Sequence, residues 1–97
     1  MTTDAVDTSD DADDTVKGDM ARDVLEFLAK SIVDDPDNVA IAVDEGRRGD
    51  VRLSLSVSQD DMGKVIGRRG RVAQAIRTVV RAAGAREGLE VGVDIVD

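Results

Sequence analysis

The chain has 97 residues and a formal net charge of −8 at pH 7, and it contains no cysteine, histidine, tyrosine or tryptophan. Its length suits one small domain, the missing cysteines exclude disulfides and thiolate metal sites, and the missing histidines remove the usual general base. No apolar stretch approaches the roughly 20 residues of a membrane helix and the N-terminus lacks a signal-peptide pattern, so we expect a cytoplasmic protein that does not bind membranes.

The first residues of the chain are acidic and poor in large apolar side chains. Residues 1–19 hold seven aspartates and one lysine. Such a segment cannot bury enough surface to offset the entropy that ordering costs. We therefore predict a disordered acidic tail over residues 1–18 and one folded domain over residues 19–97.

A helix is predicted directly after the tail, with Asp19 as its N-cap. Its apolar face follows helical spacing, and Pro36 in the segment 34–38 stops it. The residues assigned to this face are Met20, Val24, Phe27, Leu28 and Ser31, widened by Leu25 and Ile32.

Two strands follow, joined by a loop that is rich in turn residues. Val39–Asp44 alternates in part, whereas Val51–Val57 alternates strictly between apolar and polar residues, as a half-buried strand does. The loop Glu45–Asp50 between them contains Arg47 and Arg48.

Two helices and a last strand complete the chain. The segment Ser58–Asp61 resembles a capping box and opens a short helix that ends before Gly67. The next helix follows Gly70 and ends at Gly84 or Gly88. Leu89–Ile95 then alternates as a strand. The apolar face of the longer helix comprises Val72, Ala75, Ile76, Val79, Val80 and Ala83.

The element order α-β-β-α-α-β predicts an α+β fold. A crossover of two helices joins the second and third strands, which are therefore expected to be parallel. A three-stranded mixed sheet with helices packed on one face follows from this order.

The motif Gly67-Arg68-Arg69-Gly70, between two helices, indicates a phosphate-binding loop. Glycine lets the backbone approach a ligand closely, and the free N–H groups and dipole of the following helix favour phosphate. Arg68, Arg69 and Arg71 add charge-assisted donors. Residues 62–86 contain seven basic residues and no acid, and such a local patch attracts nucleic acid even when the total charge is negative.

The string from Val65 to Arg71, placed after a strand and between two short helices, resembles the signature of the KH domain. The element order resembles the type II form of that fold. The Asn38-Val39 pair and the stretch Gly67–Arg77 resemble the KhpA family of small bacterial KH proteins. The resemblance covers residues 20–97 and implies a cytoplasmic, single-stranded RNA-binding protein that acts as an RNA chaperone or post-transcriptional regulator.

The resemblance also implies the binding residues. A KH loop clamps about four nucleotides, which assigns Gly67, Arg68, Arg69 and Gly70 to the RNA backbone, supported by Arg71, Ile66 and Lys64. The opposite wall of the groove is expected to be Val51–Val57 and the loop Glu45–Asp50, with Arg47 and Arg48 as contacts. Arg77 is interpreted as an ordinary solvated charge, and the same interpretation stays open for Lys64. Family members pair with themselves or with a KhpB (Jag-like) KH protein and are linked to cell elongation and division.

Other functions are weighed against this one. No catalytic residue, metal site, cofactor or small-molecule substrate is expected, because the serines lack a histidine partner and no P-loop or Gly-x-Gly-x-x-Gly motif is present. A protein-interaction module that acts mainly through dimerisation or a KH partner, with weak RNA binding, stays open. Single-stranded DNA as the ligand also stays open, as does competition of the acidic tail with RNA for the arginines.

Overall fold

The computed structural model describes residues 18–46 and 48–96, and within them three helices lie on one face of a three-stranded sheet. The predicted tail, apart from Gly18, and Arg47 lie outside these ranges. The described elements, in chain order, are α1 (Asp19–Ile32), β1 (Ala40–Glu45), β2 (Val51–Ser56), α2 (Met62–Ile66), α3 (Arg71–Arg86) and β3 (Val91–Ile95). The predicted order α-β-β-α-α-β and the α+β class are confirmed.

The sheet has the strand order β1-β2-β3. β1 and β2 form an antiparallel hairpin in which Ile41 pairs with Leu55. β2 and β3 are parallel, with Leu53 opposite Val93, as the two-helix crossover predicts. β2 is therefore the central strand, and β1 and β3 are the two edges.

The core lies between the sheet and α1 and α3. In β2, Val51, Leu53 and Leu55 are buried while Arg52 is exposed, which confirms the alternation seen in the sequence. Fully burying one such aliphatic side chain is worth about 1.5–3 kcal/mol. The remaining large buried apolar side chains are Leu25, Val33, Val65, Ile76, Val80, Val91 and Val93.

The first helix differs from its prediction in two respects. Gly18, with φ 86°, precedes it, and Asp19 is its first residue and not its N-cap. Its buried face consists of Ala21, Leu25 and Ala29, since alanine lets a helix approach a sheet closely, whereas Phe27 is 70% exposed. The predicted apolar stripe is therefore only partly the core face.

The end of α3 is set by Gly88 and not by Gly84. The helix ends at Arg86, and Gly88 follows with φ 73°. Gly84 lies within the helix and is buried against Val91, where its lack of a side chain allows α3 to pack closely on β3.

Candidate nucleic-acid interface

The loop between α2 and α3 has an unusual backbone. Gly67 adopts φ 76° and ψ 173°, and Arg68–Gly70 form one 3₁₀ turn. Arg69 has φ 58°, which makes it the one residue other than glycine with positive φ among residues 18–46 and 48–96, and Gly70 has φ 73°. Three of four consecutive residues thus occupy conformations that L side chains disfavour. Backbone outliers of this kind cluster at ligand-binding sites.

Backbone hydrogen bonds hold this loop in place. The Gly67 N–H donates to the Gly63 carbonyl at 2.9 Å, and the Gly70 N–H donates to the Gly67 carbonyl at 3.1 Å. The Arg71 N–H donates to the Arg68 carbonyl and starts α3. The loop is therefore a defined turn, and its two arginines lie at the N-terminal end of a 16-residue helix.

The arginines of this turn are available to a ligand. The side chains of Arg68, Arg69 and Arg71 are exposed, and none of them forms an ion pair with a carboxylate of the described ranges. Ile66, immediately before the loop, is 39% exposed and provides an apolar surface beside the charges. The structure thus brings together six of the predicted site residues, at positions 66–71.

An apolar groove runs along the flank of α3 that faces α1. It has a volume of about 300 Å³ and lies between α1 and α3, with Arg71 at its rim. Its apolar lining comes from Leu28 and Ile32 of α1 and from Val72, Ala75, Ile76 and Val79 of α3. Arg71 therefore borders both the loop and this groove.

Lys64, another predicted contact, is engaged by acids. Its ammonium hydrogen-bonds to the Asp34 carboxylate and lies 3.6 Å from an Asp61 carboxylate oxygen. The hydrogen bond to Asp34 raises the pKa of Lys64 above its ordinary value of 10.5. These contacts leave Lys64 less available to RNA than the loop arginines.

Asp61 ties α2 to the segment that follows α1. The capping-box prediction is wrong, because neither Ser58 nor Asp61 makes a side-chain cap hydrogen bond. The Asp61 carboxylate, 2% exposed, instead accepts hydrogen bonds from the amides of Asp34 and Asp35, both at 3.1 Å. Burial alone raises the pKa of Asp61, but these hydrogen bonds outweigh it and hold the pKa below 3.8.

The opposite wall of the RNA groove is predicted at β2 and the loop 45–50, but the strand order places β2 in the middle of the sheet. The backbone of β2 is hydrogen-bonded on both sides, to β1 and to β3. Arg48 lines a small pocket with Gly88 and Glu90, beyond the C-terminal end of α3. A 16-residue helix is about 24 Å long, so Arg48 lies about one helix length from the Gly67–Gly70 loop.

Among the described strands, the edge strand that lies beside α3 is β3. Arg77 of α3 donates from Nε to the Val93 carbonyl at 3.2 Å. The sequence predicts a solvated charge at Arg77. No local pattern reveals its contact with the sheet, because its partner lies 16 residues further along the chain. The only local hint is its place in the acid-free window of residues 62–86.

The described ranges contain no group of three or more acidic side chains that could hold a metal ion. None of the helices in residues 18–46 and 48–96 has the length and apolarity that crossing a bilayer requires.

An α-β-β-α-α-β fold with a Gly-x-x-Gly turn between its second and third helices defines a KH-domain protein. A family model described as "KhpA/KhpB, KH domain" matches residues 22–95 of this chain. The chain belongs to the KhpA/KhpB KH-domain family, which confirms the resemblance seen in the sequence.

Several bacterial relatives are similar over nearly their whole length. The RNA-binding protein KhpA of Streptomyces coelicolor is 54% identical over 78 residues, which are 80% of this chain and 94% of the relative. The protein of the same name from Clostridium acetobutylicum is 47% identical over 75 residues, or 77% of this chain and 99% of the relative. That from Borreliella burgdorferi is 47% identical over 75 residues, or 77% and 90%.

Two solved structures share the fold. Era in complex with MgGDPNP and nucleotides 1506–1542 of 16S ribosomal RNA has a TM-score of 0.55 and 18% sequence identity, over 78% of this chain and 30% of that chain. An Aquifex aeolicus Era variant bound to GDP and AlF4− has a TM-score of 0.54 at the same identity and coverage. This chain thus spans about a third of Era, and the likeness concerns the fold alone.

Proposed function

We propose that this chain binds single-stranded RNA and that the Gly67–Gly70 loop clamps about four nucleotides of its sugar–phosphate backbone. The observation that carries the proposal is the turn itself. It presents three exposed arginines, at 68, 69 and 71, that form no ion pair within the described ranges. The names of the KhpA relatives as RNA-binding proteins support the same ligand.

The turn suits a phosphate for two further reasons. Gly70 has no atom outside its chain neighbours within 4 Å of where a Cβ would stand, so a ligand can approach its backbone. The N-terminal end of α3, which starts at Arg71, carries the positive end of the helix dipole. Backbone and side chains therefore offer donors to the same space.

The negative total charge does not oppose this proposal. Acids concentrate before residue 20, whereas residues 62–86 have none. At physiological salt the Debye length is about 8 Å, so charges farther away than that are largely screened from the loop. The clamp therefore acts as a local positive site, and we expect its affinity for RNA to fall as salt rises.

Charge reversal at the clamp tests the proposal. The double variant Arg68→Asp/Arg69→Asp keeps both glycines, and its binding to a labelled pool of single-stranded RNA octamers is measured by fluorescence anisotropy at two salt concentrations. The control is Arg81→Asp/Arg86→Asp, which makes the same charge change at exposed positions in the second half of α3.

We expect the loop variant to lose binding and the control to keep a salt-dependent affinity. Circular dichroism verifies that both variants fold. Equal binding by the two variants would show that the arginines act through total charge and would refute the clamp. The same titration with DNA octamers of matched sequence distinguishes RNA from single-stranded DNA as the ligand.

A second candidate function, association with another KH protein, rests on an exposed apolar surface. Met20 is 46% exposed and Phe27 is 70% exposed, and with Val24 they follow helical spacing on the outer flank of α1. A second copy of this chain, or a KhpB (Jag-like) partner as the family resemblance implies, would cover this flank. One groove for about four nucleotides binds weakly, and pairing two grooves raises avidity.

Association is measured by light scattering coupled to size exclusion over a range of protein concentrations. We expect a dimer that Phe27→Ser disrupts and that Asp23→Ser, a change at an exposed position of the same helix, preserves. A monomer at all concentrations, with no heterodimer formed on addition of a KhpB-type protein, would contradict this proposal.

The physiological role follows from the same resemblance. We propose that the protein acts in the cytoplasm as an RNA chaperone or post-transcriptional regulator that influences cell elongation and division. Cell length in a strain that carries only the Arg68→Asp/Arg69→Asp protein is the readout. Cells indistinguishable from a strain with the unaltered protein would contradict a role of RNA clamping in this process.

A further inference from the structure

Arg77 differs from the arginines of the loop because the fold fixes it. It projects from α3 to the sheet, where its Nε donates to the Val93 carbonyl at 3.2 Å, and its side chain is half-buried. Arg81, one turn further along α3, is exposed and makes no side-chain hydrogen bond within the described ranges. A held guanidinium has already lost the rotamer freedom that binding otherwise costs.

Among residues 18–46 and 48–96, no strand pairs with the outer edge of β3, beside Arg77. At the two ends of β3, the Val51 N–H donates to the Glu90 carbonyl and the Val96 N–H donates to the Leu55 carbonyl. In a parallel ladder this means that the backbone N–H and C=O groups of the even-numbered residues of β3 hydrogen-bond to β2. The backbone groups of Val91, Val93 and Ile95 therefore point toward the free edge of the sheet.

The guanidinium of Arg77 supplies several donors at this position. An arginine has five N–H groups, and only Nε–H of Arg77 is assigned to a partner among the described residues. No carboxylate of residues 18–46 or 48–96 forms an ion pair with it. The Val93 N–H adds another donor, while the Val93 carbonyl already accepts from a positive charge.

The site lies within reach of a clamped RNA. Arg77 is seven residues beyond Gly70, which is about 10 Å along the axis of α3. It lies on the flank of the helix that faces β3, opposite the groove shared with α1. A strand of about four nucleotides held at the Gly67–Gly70 loop therefore places a base beside Arg77 when it runs along this flank.

We propose that Arg77 is a specificity-determining residue that selects a base with two adjacent acceptors, cytosine or guanine, over adenine; this inference rests on the proposed RNA binding. Cytosine offers O2 and N3, and guanine offers O6 and N7, to a planar pair of N–H donors. Each of the adenine acceptors N1 and N7 lies beside the amino group. Adenine therefore offers an acceptor to only one of the two N–H donors.

The test measures base preference, which an arginine that merely joins α3 to β3 would leave unchanged. Labelled RNA octamers A8, C8 and (GA)4 are titrated by fluorescence anisotropy with the full chain and with Arg77→Met, Arg77→Lys and Arg81→Met. Arg81→Met removes one charge from the same helix. Arg77→Lys keeps the charge and a donor for the Val93 carbonyl but lacks the planar pair of donors.

We expect the unaltered chain to bind C8 or (GA)4 at least about fivefold more tightly than A8, the lower range for a bidentate arginine–base pair. Both Arg77 variants should bring this ratio to within about twofold, whereas Arg81→Met should weaken all three RNAs alike and keep the ratio. Circular dichroism confirms folding, and Arg77→Lys keeps the test valid if Arg77→Met unfolds.

Two results would overturn the inference while leaving the clamp intact. One is equal affinity of the unaltered chain for A8, C8 and (GA)4, lost in Arg68→Asp/Arg69→Asp. The other is a base preference that survives in both Arg77 variants. If the unaltered chain binds none of the three RNAs, the proposed function fails and this inference fails with it.

Discussion

Replacing Gly67 with alanine tests whether the loop between α2 and α3 keeps its shape through its backbone conformation. Gly67 combines φ 76° with ψ 173°, a region that is essentially restricted to glycine and costs other residues about 1–3 kcal/mol. An added Cβ would also lie 2.3 Å from Val72 Cγ2 and 2.8 Å from the Val72 backbone nitrogen.

The overlap with Val72 is expensive because neither atom yields easily. Valine is branched at Cβ and has few rotamers, and the backbone nitrogen belongs to the first turn of α3. Overpacking of this kind costs about 1–3 kcal/mol. We therefore expect Gly67→Ala to lower the free energy of unfolding by about 2–6 kcal/mol, which is a large part of the 5–15 kcal/mol typical of a small domain.

Two neighbouring glycines provide matched controls for this substitution. Gly70 has φ 73° and ψ 14° with no neighbour near its Cβ position, so Gly70→Ala should cost only the left-handed conformation, about 1–2 kcal/mol. Gly63 lies inside α2 and has no close neighbour at its Cβ position. Gly63→Ala should therefore leave the free energy of unfolding unchanged or raise it by up to about 1 kcal/mol.

Urea unfolding followed by circular dichroism ranks the three variants. Equal losses for Gly67→Ala and Gly70→Ala would refute the contribution of the Val72 contact. A Gly67→Ala protein as stable as Gly63→Ala would refute the loop geometry altogether.

Asp61→Asn should lower the unfolding midpoint more than Asp60→Asn, because the amide of asparagine cannot accept from both backbone N–H groups. Since the pKa of Asp61 is lowered by folding, its contribution is fully present above pH 3.8 and is lost as the pH falls below that value; an acid titration of stability that is unchanged in Asp61→Asn would contradict this. Gly84→Ala, which places a Cβ 2.3 Å from Val91 Cγ2, should cost about 1–3 kcal/mol in urea unfolding, and a neutral effect would show that α3 and β3 can separate freely. Deleting residues 1–18 should leave the cooperative melt intact and, if the acidic tail shields the clamp, should tighten RNA binding at low salt more than at high salt; equal affinities at low salt would rule out shielding.

The sequence was sufficient for the elements and their order because those depend on local patterns. Strict alternation in Val51–Val57 predicted a strand that the structure places at Val51–Ser56. The Gly67–Gly70 motif marked the boundary between α2 and α3. The parallel pairing of β2 and β3 followed from the length of the connection, which is a rule of chain geometry and needs no contact information.

The errors arose where distant residues decide the structure. Helical spacing showed that α1 has apolar residues on more than one side, but only the position of the sheet selects Ala21 and Leu25 as the core face. Asp61 accepts hydrogen bonds from residues 26 and 27 positions earlier, so no local pattern reveals it. The contacts of Lys64 and Arg77 escape local patterns for the same reason, because Asp34 lies 30 residues before Lys64 and Val93 lies 16 residues after Arg77.

These distant contacts bear directly on the clamp, because they fix both helices that flank it while leaving its charges free. Asp61 and Lys64 fasten α2 to the segment after α1, and Arg77 and Gly84 hold α3 against β3. Neither set of contacts involves Arg68 or Arg69, so the two arginines stay exposed at a position that the fold determines. A loop held from both sides loses little conformational freedom on binding, and this favours the proposed clamping of RNA by a short turn with two arginines.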